Sequence, residues 1–212
     1  MSKVLFVDNN VIYLRENINY TTGGASVQTL VWAKAFSELG LDWYYTSDKK
    51  TNDAEAVFVK DLNSSPKFLF WMLYTYRINK IVKKLDPSIL YLSTAGWKTI
   101  IWGIIARINK MHYIQRISND IVFDRKLYRK KLGTYKYFLA KVGVKMSDLI
   151  ACQNKSQFQI LSSVFRNKNI QIICAFHPRR ERRAQALFIG PVKHMIIKRV
   201  GNRDQFIDGF PD

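Results

Sequence analysis

Apolar positions along this chain fall in short runs separated by helix-like stretches. Val4-Leu-Phe-Val7 is a compact apolar run ending at Asp8-Asn-Asn10, and it predicts a buried strand over Lys3–Asp8. Ser26–Leu39 carries Val27, Val31 and Ala35 at helical spacing, and Gly40 supplies a stop. Asp42–Thr46, with Trp43, Tyr44 and Tyr45, favours extended structure. Residues 47–56 are polar and read as a loop, and Val57-Phe-Val59 reads as a short strand.

The alternation continues. Pro66–Leu85 predicts a long helix, with Pro66 in the first turn and Asp86-Pro87 as the stop. Trp71, Tyr74, Ile78, Ile81, Val82 and Leu85 share one side of it; Arg77, Lys80 and Lys84 share another. Strands over Ser88–Leu92, His112–Ile117, Asp148–Cys152 and Ile170–Ala175 then alternate with helices. Those helices cover Gly96–Asn109, Arg125–Lys145 (one helix or a pair) and Lys155–Phe165. Strands joined through helices imply an α/β fold with a parallel, doubly wound sheet. Ligands of such sheets bind at the carboxyl ends of the strands, where the strand order reverses. The turn after the first strand and the residues after Ile117 belong to that edge. Residues 1–178 are expected to form this domain. Residues 179–212 are expected to be a basic tail or the truncated start of another domain.

One segment at that edge carries candidate chemistry. Tyr20-Thr-Thr-Gly-Gly-Ala-Ser-Val-Gln28 puts Gly23 and Gly24 just ahead of a helix. Without a Cβ, glycine lets backbone N–H groups approach a phosphate, and a helix start carries partial positive charge. The plainer alternative is a loop that needs positive φ. The spacing matches neither a dinucleotide-binding fingerprint nor a P-loop.

Charge sharpens the picture. The 212 residues carry a formal charge of +18. From Arg107 to Arg199 there are 21 Lys or Arg against four acids, while the first 106 residues are nearly balanced. Such asymmetry suggests an anionic partner: a membrane surface, nucleic acid or a phosphorylated substrate. Solvated helix faces would account for it equally. Cys152 and Cys174 sit in apolar runs and read as reduced buried thiols, and no Cys/His cluster has metal-ligand spacing. No apolar run reaches the length that spans a bilayer, and Met1-Ser-Lys3 opens directly onto a strand. A reducing cytoplasm is the expected compartment.

Several weak signposts line up in order. They are Gly23-Gly24-Ala25 opening a helix, Phe36-Ser-Glu-Leu-Gly40 closing it, Asp86-Pro-Ser-Ile-Leu-Tyr-Leu92, Gln115-Arg-Ile-Ser-Asn-Asp120, Ser147-Asp-Leu-Ile-Ala-Cys-Gln153 and Ile170-Gln-Ile-Ile-Cys-Ala-Phe-His-Pro178. Together they resemble the N-terminal half of a retaining, family 4 nucleotide-sugar glycosyltransferase of the GT-B fold. The resemblance implies a Rossmann-like acceptor-binding domain facing a donor-binding domain across a cleft. It implies a sugar nucleotide as co-substrate, a glycan or lipid-linked acceptor, and no cofactor or catalytic metal. Gly23 and Gly24 match the loop near the donor phosphate, and Asp120 the acidic member of a His-Asp pair near the reacting centre. Asn119 stands where many members carry His, and Cys174 where an asparagine is usual. The glutamate pair of the donor half has no counterpart among Glu16, Glu38, Glu55 and Glu181. A separate donor-domain polypeptide is therefore an expected partner, and the chain alone is expected to transfer little.

The individual residues keep two readings each. Asp120 is a helix cap or an active-site acid. Arg116 pairs with Asp120 or meets an anionic substrate. Asp8 reads as a turn cap and His112 as a strand-start residue without a special role, while His177 before Pro178 marks a chain crossing or serves as a ligand. Trp71 and Tyr74 are core or a sugar platform. The Pro66–Leu85 helix, aromatic at one end and basic at the other, packs in the core or lies on an anionic membrane. A nucleic-acid-binding protein and a non-catalytic remnant stand as the alternative functions.

Overall fold

The structure is a computed structural model that describes residues 2–16, 24–59, 68–118 and 133–173. Those residues build a single parallel sheet of seven strands: β1 (Lys3–Val7), β2 (Asp42–Ser47), β3 (Ala56–Phe58), β4 (Ile89–Leu92), β5 (His112–Arg116), β6 (Leu149–Cys152) and β7 (Asn169–Ile172). The order is β3-β2-β1-β4-β5-β6-β7. The chain therefore winds outward one way from β1 and the other way from β4, and the order reverses between those two central strands. β1 pairs with both β2 and β4, placing Leu5 beside Tyr44 and Leu90. Every residue of β4 and β6 is buried, as expected when both faces of a parallel sheet are covered.

Strand parity assigns the two faces. Phe6, Tyr45 and Tyr91 point to the side covered by α2 (Gly24–Glu38), where Trp32 and Phe36 meet them. The Phe6 ring lies 5.8 Å from Phe36 and 5.1 Å from Tyr91. Leu5, Leu90, Leu92 and Tyr113 point to the opposite side. There they pack with Tyr74, Ile78 and Val82 of α3 (Phe68–Leu85) and Ile101, Trp102 and Ile105 of α4 (Thr99–Ile108). Helices α5 (Thr134–Lys145) and α6 (Lys155–Val164) close a smaller cluster over Ile150 and Cys152.

The strands follow the predicted order with ends shifted by a residue or two. The last strand stops at Ile172 and leaves Ile173 out, short of the predicted Ala175; Cys174 and Ala175, the boundary at 178 and residues 179–212 lie outside the described residues. So do the first part of Arg125–Lys145 and the start of the Pro66–Leu85 helix. Two readings change. The apolar face assigned to the first long helix was Val27, Val31 and Ala35, yet Val27 is exposed. The face α2 buries is Ser26, Thr29, Trp32, Ala33, Ala35 and Phe36, because two of its polar residues have a buried acceptor waiting for them. A further short helix, α1 (Val11–Arg15), was not anticipated. Five residues are too few to show a helical period, although Val11 and Ile12 are fully buried.

Two packing features set the layer geometry. α4 and α5 approach so closely that a Cβ at Gly143 would collide with the backbone of Thr99 and Ile100. On the β2 edge, Arg15 donates to Asp53 at 2.7 and 2.9 Å and to Glu55 at 2.8 Å. Tyr45 donates its hydroxyl to Asp53 at 2.8 Å. Burial by itself would raise the Asp53 carboxyl, but hydrogen bonds from Arg15 and its other neighbours hold it well below the ordinary 3.8.

Gly143→Ala should destabilise the fold by about 1–3 kcal/mol through overpacking of backbone against backbone, read as a lower midpoint in urea. A depressed folded pKa gives stability that is present above the unfolded value and lost as pH falls through the folded one. The stability gap between the natural chain and Asp53→Asn should therefore be full at neutral pH. It should shrink steadily in unfolding experiments stepped from about pH 5 to about pH 2; a gap that stays constant would contradict the assignment.

Candidate functional site

The strand-order reversal places loop ends from β1 and β4 side by side, and a cavity of about 480 Å³ opens there. Val7 to Asn10 form one wall, Ser93, Thr94 and Gly96 to Thr99 another, and Ala25 and Ser26 of α2 a third. Tyr74 and Trp102 reach it from the α3–α4 side. The site thus combines a polar rim with an aromatic flank.

Asp8 organises the rim. It follows the last residue of β1, and the residue is only 7% exposed. Ser26 donates to Oδ1 at 3.0 Å and Thr29 to Oδ2 at 2.8 Å. The Asn10 N–H also reaches Oδ1, at 3.2 Å. Asp8 does cap the turn after β1, and it also ties the first turns of α2 to the end of the central strand. The readable signal was Ser26 and Thr29, three residues apart on one helix face. Neighbouring contacts stiffen the same rim. Thr46 donates to Asn9 at 2.6 Å, and the Gly96 N–H donates to Thr99 Oγ1 at 2.8 Å.

Gly24 is the first residue of α2 and exposed. A Cβ there would meet nothing within 4 Å, and the residue has no positive φ. Internal sterics and backbone conformation therefore leave the glycine unexplained, and the positive-φ alternative does not hold at this position. Gly23, Asn119 and Asp120 lie outside the described residues.

Arg116 ends β5 at the same edge of the sheet and is only 4% exposed. Its Nη1 and the Tyr91 hydroxyl are buried near each other, and neither has a partner in good hydrogen-bond geometry. Burial pushes the Tyr91 phenol up to about 12, and the nearby Arg116 opposes that rise. A buried guanidinium N–H left open is costly unless something anionic or polar meets it.

On the aromatic flank, Trp71 stacks on Trp97 at 5.0 Å, and Trp97 lines the cavity. Lys98 Nζ sits 5.5 Å from the Trp97 ring. Tyr74 serves both readings given above, since it is buried in the core and also borders the cavity. Among the described residues, no cluster of His, Cys, Asp or Glu could hold a metal ion. No described helix is long and apolar enough to cross a membrane.

Comparison with known proteins agrees with this architecture. Residues 17–154 match the family described as glycosyl transferase 4-like. Sucrose-phosphate synthase from Thermosynechococcus elongatus superposes with a TM-score of 0.58 at 8% identity, over 82% of this chain and 48% of its own. MurG from Acinetobacter baumannii gives 0.56 at 9% identity, over 84% and 46% respectively. MnaA from S. aureus, solved with UDP, gives 0.53 at 14% identity, over 82% and 44%. These likenesses show the fold, a Rossmann-like half of a GT-B architecture. The chain spans less than half the length of these three proteins. No curated protein matches it by sequence.

Asp8→Ala should cost about 1–3 kcal/mol, because it removes the acceptor of two buried hydroxyls. Asp8→Asn should cost less, since one acceptor oxygen survives. Chemical denaturation of both variants checks the order; equal stability of all three proteins would remove Asp8 from its organising role.

Proposed function

The chain belongs to the glycosyl transferase 4-like family, and on that premise we propose that it forms the acceptor-side wall of a sugar-transfer cleft. The reaction moves a sugar from a nucleotide-sugar donor to a glycan or lipid-linked acceptor, with retention of anomeric configuration and without a catalytic metal. The observation that carries this reading is the cavity at the β1–β4 reversal, with the start of α2 and the buried Arg116 at the same edge.

Glycosyl transfer requires that charge developing on a departing diphosphate be met by fixed donors. Backbone N–H groups at Gly23-Gly24 and the helix start would supply some. Gly24 supports this, because neither packing nor φ demands a glycine there. Arg116 would supply a cation whose open N–H is already desolvated. Asp120 and Asn119, just beyond β5, would lie near the reacting centre, with Asp120 placing or deprotonating the acceptor hydroxyl. The polar rim from Asp8 to Asn10 and from Ser93 to Thr94 would receive the acceptor. The opposing wall, which holds most of the nucleotide, would come from a donor domain, so this chain by itself is expected to transfer poorly.

MnaA is solved with UDP, so UDP-hexoses are the first donors to test. Saturation-transfer NMR should show weak contact between the chain and a UDP-hexose. Arg116→Gln should weaken it about tenfold or more, the loss of a charge-assisted hydrogen bond. Gly24→Leu should also weaken it while leaving the unfolding midpoint nearly unchanged. The reading fails if no nucleotide sugar shows contact, or if both variants bind like the natural chain.

A further inference from the structure

Helix α3 has two apolar sides of different kinds. Its inner side, with Tyr74, Ile78 and Val82, is buried against the sheet. Its outer side leaves Met72, Leu73 and Tyr76 in solvent, Tyr76 at 66% exposure. Further along that outer side come the exposed cations Arg77, Lys80, Lys83 and Lys84. Spacings of three and four residues place all seven on one stripe. The neighbouring helix α4 extends the surface with exposed Ile104 and Ile108. Neither α3 nor α4 contains a single Asp or Glu.

We infer that this α3–α4 surface docks on an anionic lipid bilayer, with α3 lying flat in the interface. An interfacial helix needs apolar side chains that enter the headgroup boundary and cations that meet lipid phosphates. Met72, Leu73 and Tyr76 provide the first, and the four cations provide the second. Lys stems can lie along the boundary while their heads stay in water. The run from Met72 to Lys84 covers about 18 Å at about 1.5 Å per residue, so both groups touch the surface together. A second copy of this chain is a poor occupant, because it would set cations against cations.

The orientation matters for the cavity. Trp71, next to Met72, stacks on Trp97 of the cavity wall, and Tyr74 borders the cavity itself. The apolar end of the docking surface is therefore the cavity end of α3. Docking would hold the cavity at the lipid surface, within reach of an acceptor whose polar head projects from the bilayer; this last consequence alone rests on the sugar-transfer reading.

The test is co-sedimentation of the full chain with vesicles of phosphatidylcholine containing rising fractions of phosphatidylglycerol. Binding should rise with the anionic fraction, fall with salt, and keep a residue at high salt from the apolar contacts. Lys80→Glu/Lys84→Glu should weaken binding at least tenfold. Lys34→Glu/Lys50→Glu makes the same charge change away from this surface and should have a much smaller effect. Met72→Ser/Tyr76→Ser should remove the salt-resistant part. Circular dichroism of each variant confirms folding. Equal losses from the two charge-reversal pairs would mean that net charge alone drives binding, and would overturn the inference. Binding that ignores phosphatidylglycerol, or a surface occupied by self-association in size-exclusion chromatography, would overturn it as well.

Discussion

A carboxylate at the tip of the central strand is the constraint on which the site depends. Asp8 is nearly enclosed, and it survives there because Ser26, Thr29 and the Asn10 N–H all donate to it. A buried charge with fewer partners would be unfavourable at that position. The same bonds fix where α2 begins relative to β1, and so where the helix start faces. They also explain a helix whose buried side carries two hydroxyl residues at its first turns and large aromatics, Trp32 and Phe36, further along. The polar end belongs to the rim, and the aromatic end belongs to the core.

The sheet then sorts chemistry from packing. Along β1 and β4 the bodies of the strands are aliphatic and aromatic, with α2 on one face and α3 and α4 on the other. Polar groups gather where the strands stop: Asp8 after β1, Ser93 after β4, Arg116 at the end of β5. Because all seven strands are parallel, every one of these ends lies on the same edge. The reversal between β1 and β4 parts the loops there, and the cavity follows from that parting. Arg116, at the same edge, and Tyr91 of β4 hold open hydrogen-bonding groups, although neither lines the cavity. Gly24 stands beside a rim where no internal contact calls for a glycine.

The layer on the other face of the sheet is a second example of one element with two duties. α3 secures the core with Tyr74, Ile78 and Val82 while presenting Met72, Leu73 and Tyr76 to solvent. The close α4–α5 crossing at Gly143 holds α4 beside α5 in that layer. Neither α3 nor α4 carries a carboxylate in its own sequence.

Much of the architecture was legible in the chain. Apolar runs such as Ile89–Leu92 and Leu149–Cys152, short and bounded by turn residues, read as buried strands, and all four positions of each are buried. Stops such as Leu39-Gly40 and Asp86-Pro87 separated them from helices, and alternation of strand and helix gave the parallel sheet. Gly24 and Arg116 stood out as candidates in the chain, one for its missing Cβ and one for its place at the end of a strand. Tertiary structure alone decided which face of α2 is buried. Hydrophobicity pointed to Val27, whereas a distant carboxylate made Ser26 and Thr29 the inward residues. It alone decided that Asp8 has partners 18 and 21 residues away, and that Arg116 is enclosed with an open N–H. Local pattern reports the period of a chain. Which polar groups can be buried depends on partners brought together only when the sheet closes.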